Sequence, residues 1–231
     1  MTVVIPIHNE AGFLVGAIER LTTELTGLDA DCDIILAENG STDGTPGIAT
    51  DLAARRSDIS FLRLPDPDYG AAMRAGFRKA SGDWAVNFDI DYFSGEFLRQ
   101  ALHLADNADV VLASKRADGS DDRRSLLRRM GTLVFNRILQ WLFGSSVSDT
   151  HGMKVIRREV ITSVLPLVAS NRDLFDTELV LRAERDGFRI AELPVVVEEQ
   201  RDARSSYLRR VPRTLLGLVK IRLRMWREDR R

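Results

Sequence analysis

Short apolar runs alternate along the first half of the chain with longer stretches whose apolar residues recur at helical spacing. Val3–Ile7, Asp33–Ala37, Ile59–Leu64, Asp83–Phe88 and Asp109–Ser114 read as strands. Their cores are apolar on successive positions, as expected of parallel strands covered on both faces. Between them, Ala11–Leu25 carries Phe13, Leu14, Ala17, Ile18 and Leu21 on one helical stripe. Thr45–Arg56, Ala71–Lys79 and Ser94–Ala105 read as further helices, the last with Ser94 as N-cap. This βαβα rhythm predicts an α/β fold, a mainly parallel sheet flanked by helices and joined by right-handed crossovers.

After residue 115 the rhythm changes. Ala117–Asp122 is polar and glycine-bearing and reads as a mobile loop. Leu126–Phe143 reads as a long helix with basic and apolar faces, Gly152–Ile156 as a strand, Thr177–Asp186 as a helix ended by Gly187, and Ile190–Glu198 as a strand. From about Pro212 a final helix is expected, with proline near its first turn. On a helical wheel Leu215, Leu216, Leu218, Val219, Leu223 and Trp226 share one face, and Arg213, Lys220, Arg224 and Arg227 the other. A basic amphipathic helix ending in tryptophan suits a membrane surface, and it equally suits a helix packed on the core with solvated arginines. The expected organisation is one domain over 1–200 followed by a basic amphipathic segment over 201–231.

Charge sharpens that division. The whole chain has a formal net charge of −1. Residues 201–231 hold eleven basic against three acidic residues, and 123–137 hold five arginines and no acid. Such patches suit phosphates or anionic lipid. Nucleic acid is disfavoured, because no recognition motif accompanies the basic tail and its apolar face suits lipid better. Cys32 is the sole cysteine, so neither an internal disulfide nor a cysteine metal site is possible. No run of eighteen apolar residues is present, and Thr2-Val3-Val4-Ile5 reads as strand rather than leader. The expected location is cytoplasmic.

The candidate chemistry sits at strand ends. Asp89-Ile90-Asp91 follows the apolar run Trp84–Phe88 and puts two hard oxygen ligands at the carboxyl edge of the sheet, where open α/β sheets bind ligands. Alternation along a strand places the two side chains on one face, about 6–7 Å apart, suiting a divalent ion shared with phosphate oxygens. The alternative is an acidic turn capping the next helix. Pro6-Ile7-His8-Asn9-Glu10 and Glu38-Asn39-Gly40-Ser41-Thr42-Asp43-Gly44-Thr45 end the first two strands at the same edge. Glu38 and Asp43 can accept hydrogen bonds from a base or ribose. No Gly-x-Gly-x-x-Gly follows a strand, and no Walker loop or Gly-x-Ser-x-Gly elbow is present.

Read in order, these pieces resemble the family 2 glycosyltransferases of the GT-A fold. Tyr69-Gly70-Ala71-Ala72-Met73-Arg74-Ala75-Gly76-Phe77, Ser148-Asp149-Thr150-His151-Gly152-Met153-Lys154, Phe175-Asp176-Thr177-Glu178-Leu179 and Ala191-Glu192-Leu193-Pro194-Val195 extend the likeness across the chain. Within the family it is similar to dolichol-phosphate mannose synthases and bacterial polyprenyl-phosphate hexose synthases. The resemblance implies that Pro6, His8, Glu10, Glu38 and Asp43 line the nucleotide. Asp89 and Asp91, with Ile90 between them, would hold Mg²⁺ or Mn²⁺ on the diphosphate of a UDP- or GDP-linked sugar. Where relatives place a third ligand, this chain has Phe93, which cannot ligate, so phosphate oxygens or water must complete the shell. Lys115, Arg116, Arg128, Thr132 and Ser206 match acceptor-phosphate positions. Arg128 and Arg201 match arginines that meet the reacting phosphates.

The implied activity is inverting transfer of a hexose to a polyprenyl or dolichyl phosphate at the inner face of the cell membrane. The basic tail, or a separate anchoring protein, would hold the enzyme to the anionic surface. Two alternatives remain. A hydroxyl of a soluble or polysaccharide acceptor would need a base, with Asp149 and Asp176 as candidates and His151 a weaker one. A non-catalytic module that binds nucleotide or membrane would explain the missing ligand at Phe93.

Overall fold

The computed structural model describes residues 1–117, 120–122, 126–197 and 207–230. The strands are β1 (Thr2–Ile7), β2 (Asp33–Asn39), β3 (Ile59–Leu64), β4 (Trp84–Asn87), β5 (Val110–Ser114), β6 (Asp121–Asp122), β7 (Lys154–Arg157), β8 (Ile190–Pro194) and β9 (Val196–Val197). The helices are α1 (Leu14–Thr26), α2 (Thr45–Arg55), α3 (Tyr69–Lys79), α4 (Gly95–His103), α5 (Leu126–Phe143), α6 (Arg158–Val164), α7 (Phe175–Arg185) and α8 (Tyr207–Glu228).

Seven strands form one sheet in the order β3-β2-β1-β4-β7-β5-β8. All neighbours are parallel except β7, which runs antiparallel between β4 and β5. Both faces of the sheet are covered. Val3, Ile5 and Ile7 pack with Leu14, Ile18 and Leu21 of α1 and with Phe97 and Leu98 of α4. Val4, Ile35 and Ala37 point to the other face, against Met73 and Phe77 of α3, Val160 of α6 and Leu179 of α7. Successive strand residues serve opposite cores, which is why the strands read as continuous apolar runs.

The order reverses direction at β1, whose neighbours are β2 on one side and β4 on the other. Pairing of β1 with β4 ends at Val4↔Asn87, while pairing with β2 runs on to Ile7↔Glu38. Beyond Val4 the β4 side of β1 is therefore open. Pro6, which has no amide proton, sits in that open stretch, as a proline near a central strand must. The gap between β1 and β4 is the topological switch point where such sheets bind ligands.

Several expectations shift. The segment 117–122 is not loop throughout, because Asp121–Asp122 pairs in parallel with Val196–Val197, so the strand expected over 190–198 divides into β8 and β9. Positions 118, 119 and 198 lie outside the described residues. The final helix starts at Tyr207, so Pro212 lies inside it rather than in its first turn. The helix α8 packs on the rest of the domain. Leu218, Ile221 and Met225 are buried against Leu139 of α5 and Leu181 of α7. Leu218 thus belongs to an inner face and not with the exposed Leu215, Leu216, Val219, Leu223 and Trp226. Arg224 is not simply solvated either. It donates to Ser170 Oγ (3.0 Å) and to Glu178 Oε2 (2.9 Å), a carboxylate with no solvent exposure.

Candidate active site

The β1–α1 and β2–α2 turns hold each other in place. Asn9 adopts a left-handed φ of 55°, its amide donates to Ser41 Oγ (2.9 Å), and its side-chain oxygen accepts from the Thr42 amide (2.8 Å). Asn tolerates that conformation better than most residues. Asp43 accepts from the Thr45 hydroxyl (2.6 Å) and amide (3.0 Å) and from the Ala11 amide (3.2 Å). These bonds, chiefly that from the Thr45 hydroxyl, hold its pKa below the usual carboxylate value. Asp43 thus fastens the two turns, leaving it less free for a ribose than the sequence suggested. His8 pairs through Nδ1 with the Asn39 carbonyl (2.7 Å), and the Glu10 amide donates to Thr45 Oγ1 (2.8 Å).

Glu38 is better placed to meet a ligand. It is fully buried at the end of β2, with Oε1 accepting from the Ser41 amide (2.5 Å). Its Oε2 has no hydrogen bond among the described residues and lies 3.4 Å from Arg63 Nε. Such an oxygen normally finds a donor, and a ribose hydroxyl would supply one.

Across the switch point, Asp89 follows β4 in a tight turn closed by the Tyr92 amide on the Asp89 carbonyl (3.1 Å). Burial pushes the Asp89 carboxyl up to about 6; Lys154 and Lys115 oppose the rise, while Asp176 and Asp91 add to it. Phe93 packs on Phe88, ring centroids 6.3 Å apart, so it is a core side chain and no ligand.

Beneath this turn lies a buried polar network that sequence reasoning did not assemble. Lys154 is 1% exposed. Its ammonium donates to the Gly152 carbonyl (2.8 Å) and Asn87 Oδ1 (3.2 Å) and lies 3.3 Å from Asp176 Oδ2. The Tyr69 hydroxyl donates to the same Asp176 oxygen (2.8 Å). Burial and the neighbouring Asp176 and Asp89 carboxylates raise the phenol above its ordinary pKa. The antiparallel register of β4 and β7 creates this cluster by setting Asn87 opposite Lys154. The available signal was a lysine within the apolar run Met153–Ile156, because a lysine is rarely buried without a charged partner.

A second pair extends the wall. Lys115, at the end of β5, lies 3.6 Å from Asp149 Oδ2, while Asp149 Oδ1 accepts from the His151 amide (2.9 Å). Asp149 Oδ2 and Asp176 Oδ1 are buried without hydrogen bonds among the described residues. The inner face of α5 closes this side. Asn136 donates to the Ser148 carbonyl, and Phe135 meets the His151 ring edge-on at 5.8 Å. Thr132 is half-buried on the same helix, and Arg116 is exposed. The side chain of Arg128, and Arg201 and Ser206 entirely, lie outside the described residues.

Lys154, Asp176, Asp91 and Lys115 act on Asp89, and Asp149 joins this wall through Lys115. Among the described residues no group of three or more acidic, histidine or cysteine side chains is arranged as a closed metal site. The neighbouring carboxylates of Asp89 and Asp91 fit an ion that phosphate oxygens would complete, which is how such hard cations are commonly shared with nucleotides.

The family model for glycosyl transferase family 2 matches residues 2–165. The chain belongs to this family. Among curated relatives of this chain, glycosyltransferase AglD of Haloferax volcanii is 30% identical over 98% of this chain and 37% of its own length. The undecaprenyl-phosphate 4-deoxy-4-formamido-L-arabinose transferase of Serratia proteamaculans is 29% identical over 80% of this chain and 60% of its own length. The chain thus spans less than two thirds of both relatives. Among solved structures, glucosyl-3-phosphoglycerate synthase from Mycobacterium tuberculosis, in complex with Mn²⁺, UDP and glucosyl-3-phosphoglycerate, superposes with a TM-score of 0.70. It is 21% identical and covers 96% of this chain and 78% of that one. The chain accordingly has the α/β GT-A architecture, with its topological switch point at the β1–β4 gap.

Proposed function

We propose that this chain catalyses inverting transfer of a hexose from a nucleotide diphosphate sugar to a polyprenyl phosphate at a membrane surface. The observation that carries the reading is the β1–β4 crevice, with buried Glu38 on one side and the Asp89-x-Asp91 turn over Lys154 and Asp176 on the other. Pro6, His8, Glu10 and Glu38 line the base and ribose side. A bound Mg²⁺ or Mn²⁺ would neutralise charge developing on the departing diphosphate; the Mn²⁺ in the mycobacterial synthase is in keeping with either ion.

The protein's own task is then orientation. Lys154 and Tyr69 fix Asp176 and the floor of the turn, so that Asp89 and Asp91 face the diphosphate in one geometry. The oxygen of a lipid phosphate is already anionic at neutral pH, so the acceptor requires no base. Positioning suffices, by Lys115 and Arg116 and by Arg128, Thr132, Arg201 and Ser206 at the matching family positions. Supporting the lipid acceptor are the relative named for transfer to undecaprenyl phosphate and the basic stretches 123–137 and 201–231. No helix among the described residues is long and apolar enough to cross a membrane. Attachment to the inner membrane face would rest on α8 or on an anchoring partner.

The test is transfer of label from UDP- and GDP-sugars into organic-extractable lipid, with polyprenyl phosphate and Mn²⁺ or Mg²⁺ present. Product in the organic phase is expected, and its absence with every donor sinks the lipid reading. The buried, unbonded oxygens Asp149 Oδ2 and Asp176 Oδ1 favour one other reading, a hydroxyl acceptor deprotonated by one of them. Water-soluble product lost on Asp176→Asn or Asp149→Asn would identify that case.

A further inference from the structure

The segment 168–172 lies just ahead of α7. Among its side chains only Val168 is buried, while Ala169, Asn171 and Arg172 are exposed. Apolar area therefore does little to hold it. Its backbone is instead taken up by three charged side chains. Arg74 of α3 donates to the Val168 carbonyl and to the Ser170 carbonyl (2.9 Å). Glu178 of α7 has no solvent exposure, and its Oε2 accepts from the Ser170 amide (2.6 Å) and the Ala169 amide (3.2 Å). Asp68, the N-cap of α3, accepts through one oxygen from the Ala71 amide (3.0 Å) and the Arg172 amide (3.1 Å). Arg172 holds a left-handed φ of 49°; among the described residues Asn9 of the β1–α1 turn is the only other non-glycine to do so. That conformation costs free energy in an arginine and persists where neighbours over-determine it. Gly70 leaves room for the close approach, since a Cβ there would fall 2.7 Å from the Arg172 nitrogen.

These contacts clamp the segment between two helices whose first turns meet at the floor of the crevice. Tyr69 follows Asp68 at the start of α3, Asp176 stands two residues before Glu178 in α7, and the Tyr69 hydroxyl donates to Asp176 Oδ2 (2.8 Å). We propose that Glu178 and Arg74 are positioning residues for the donor site: by clamping 168–172 they fix α3 against α7, and so set the Tyr69–Asp176 pair beside Asp89. This rests on the donor-binding reading of the crevice and deepens it. The two oxygens of Glu178 divide the work. Arg182 takes Oε1 (3.0 Å), which leaves Oε2 to the two amides and to Arg224 of α8 (2.9 Å). A buried polar network with its partners in place rigidifies what it touches. Rigidity matters here because a misplacement of about 1 Å at a reacting centre can cost about a hundredfold, even when its source is remote.

The experiment titrates UDP and GDP, each with Mn²⁺, into wild type, Arg74→Ala, Glu178→Gln and Glu228→Gln, well below every unfolding midpoint. Glu228→Gln is the control, because it weakens the ties of α8 to Arg182 and Arg185 and leaves the bonds of the segment alone. Arg74→Ala and Glu178→Gln are each expected to raise the Kd of the nucleotide about tenfold. The control should change it by no more than about twofold. Loss of folded protein lowers the amount that binds and not the Kd, so a merely structural role leaves the Kd unmoved. Arg74 is only half-buried, so Arg74→Ala decides the matter if Glu178→Gln fails to fold. Hydrogen exchange reads the clamp itself: the Ala169 and Ser170 amides should exchange faster in Arg74→Ala and as in wild type in Glu228→Gln. A wild-type Kd in Arg74→Ala, or an equal rise in Glu228→Gln, overturns the proposal while the donor reading stands. If wild type binds neither nucleotide, the donor reading itself falls and takes the proposal with it.

Discussion

At the scale of the residue, charge balance decides most of what the site can do. Lys154 is buried, and its ammonium neutralises Asp176 beside Asp89. Removing one partner of a buried pair leaves the other charge uncompensated in a poorly solvating interior. Lys154→Met is therefore expected to lower stability by about 3–5 kcal/mol, read from urea denaturation. Asp109 makes a different case at the opposite end of the sheet. It pairs with Arg189 (2.8 Å) and Arg157 (3.2 Å), and hydrogen bonds from Arg189 hold its carboxyl far below the usual range. A depressed folded pKa gives stability that is full above the ordinary carboxylate range and is lost as pH falls from that range through the depressed folded value. Asp109→Asn should thus flatten the acid limb of a stability-against-pH curve while changing its slope little above neutrality. An acid limb as steep as that of wild type would show that the pairing contributes nothing.

Elements are placed by close approach as much as by apolar area. The helix α3 lies against β1 at Gly76, where a Cβ would fall 2.2 Å from Val4 Cγ1. Gly76→Ala should cost about 1–3 kcal/mol through overpacking, measured by denaturant midpoint. The Val4→Ala/Gly76→Ala double variant should regain part of that loss, because contacting sites couple. The helix α8 is fixed by charge as well as by packing. Fully buried Arg182 joins Glu178 (3.0 Å) to Glu228 (2.7 Å), so the last helix is tied to α7, the helix that carries Asp176. The sequence made the first five strands and four helices legible, because parallel strands and amphipathic helices leave unambiguous periodicities. It left α6 unread, since seven residues give barely two turns of pattern. It also misassigned Leu218 and Arg224, because one wheel cannot separate two apolar faces of a helix that packs on both sides.

For the whole molecule, sheet order turns separate motifs into one site. The turns ending β1, β2 and β4 are distant in sequence, and the strand order at β1 sets them side by side. The residues Glu38, Asp89, Asp91, Asp149 and Asp176 were legible as motif positions. The meeting of Asp176 and Asp89 with Lys154 and Tyr69 was not, because it depends on β7 entering antiparallel between β4 and β5, which no local pattern encodes. The central claim is that the β1–β4 crevice binds a nucleotide diphosphate with a divalent ion held by Asp91 and Asp89. It is tested most directly by thermal unfolding with UDP or GDP, with and without Mn²⁺, in wild type and Asp91→Ala. A ligand of the folded state at about a hundred times its Kd adds about 2.7 kcal/mol of stability. The account predicts a Tm rise in wild type that needs both nucleotide and Mn²⁺ and is lost in Asp91→Ala. A rise of equal size without the metal, or one undiminished in Asp91→Ala, would contradict it.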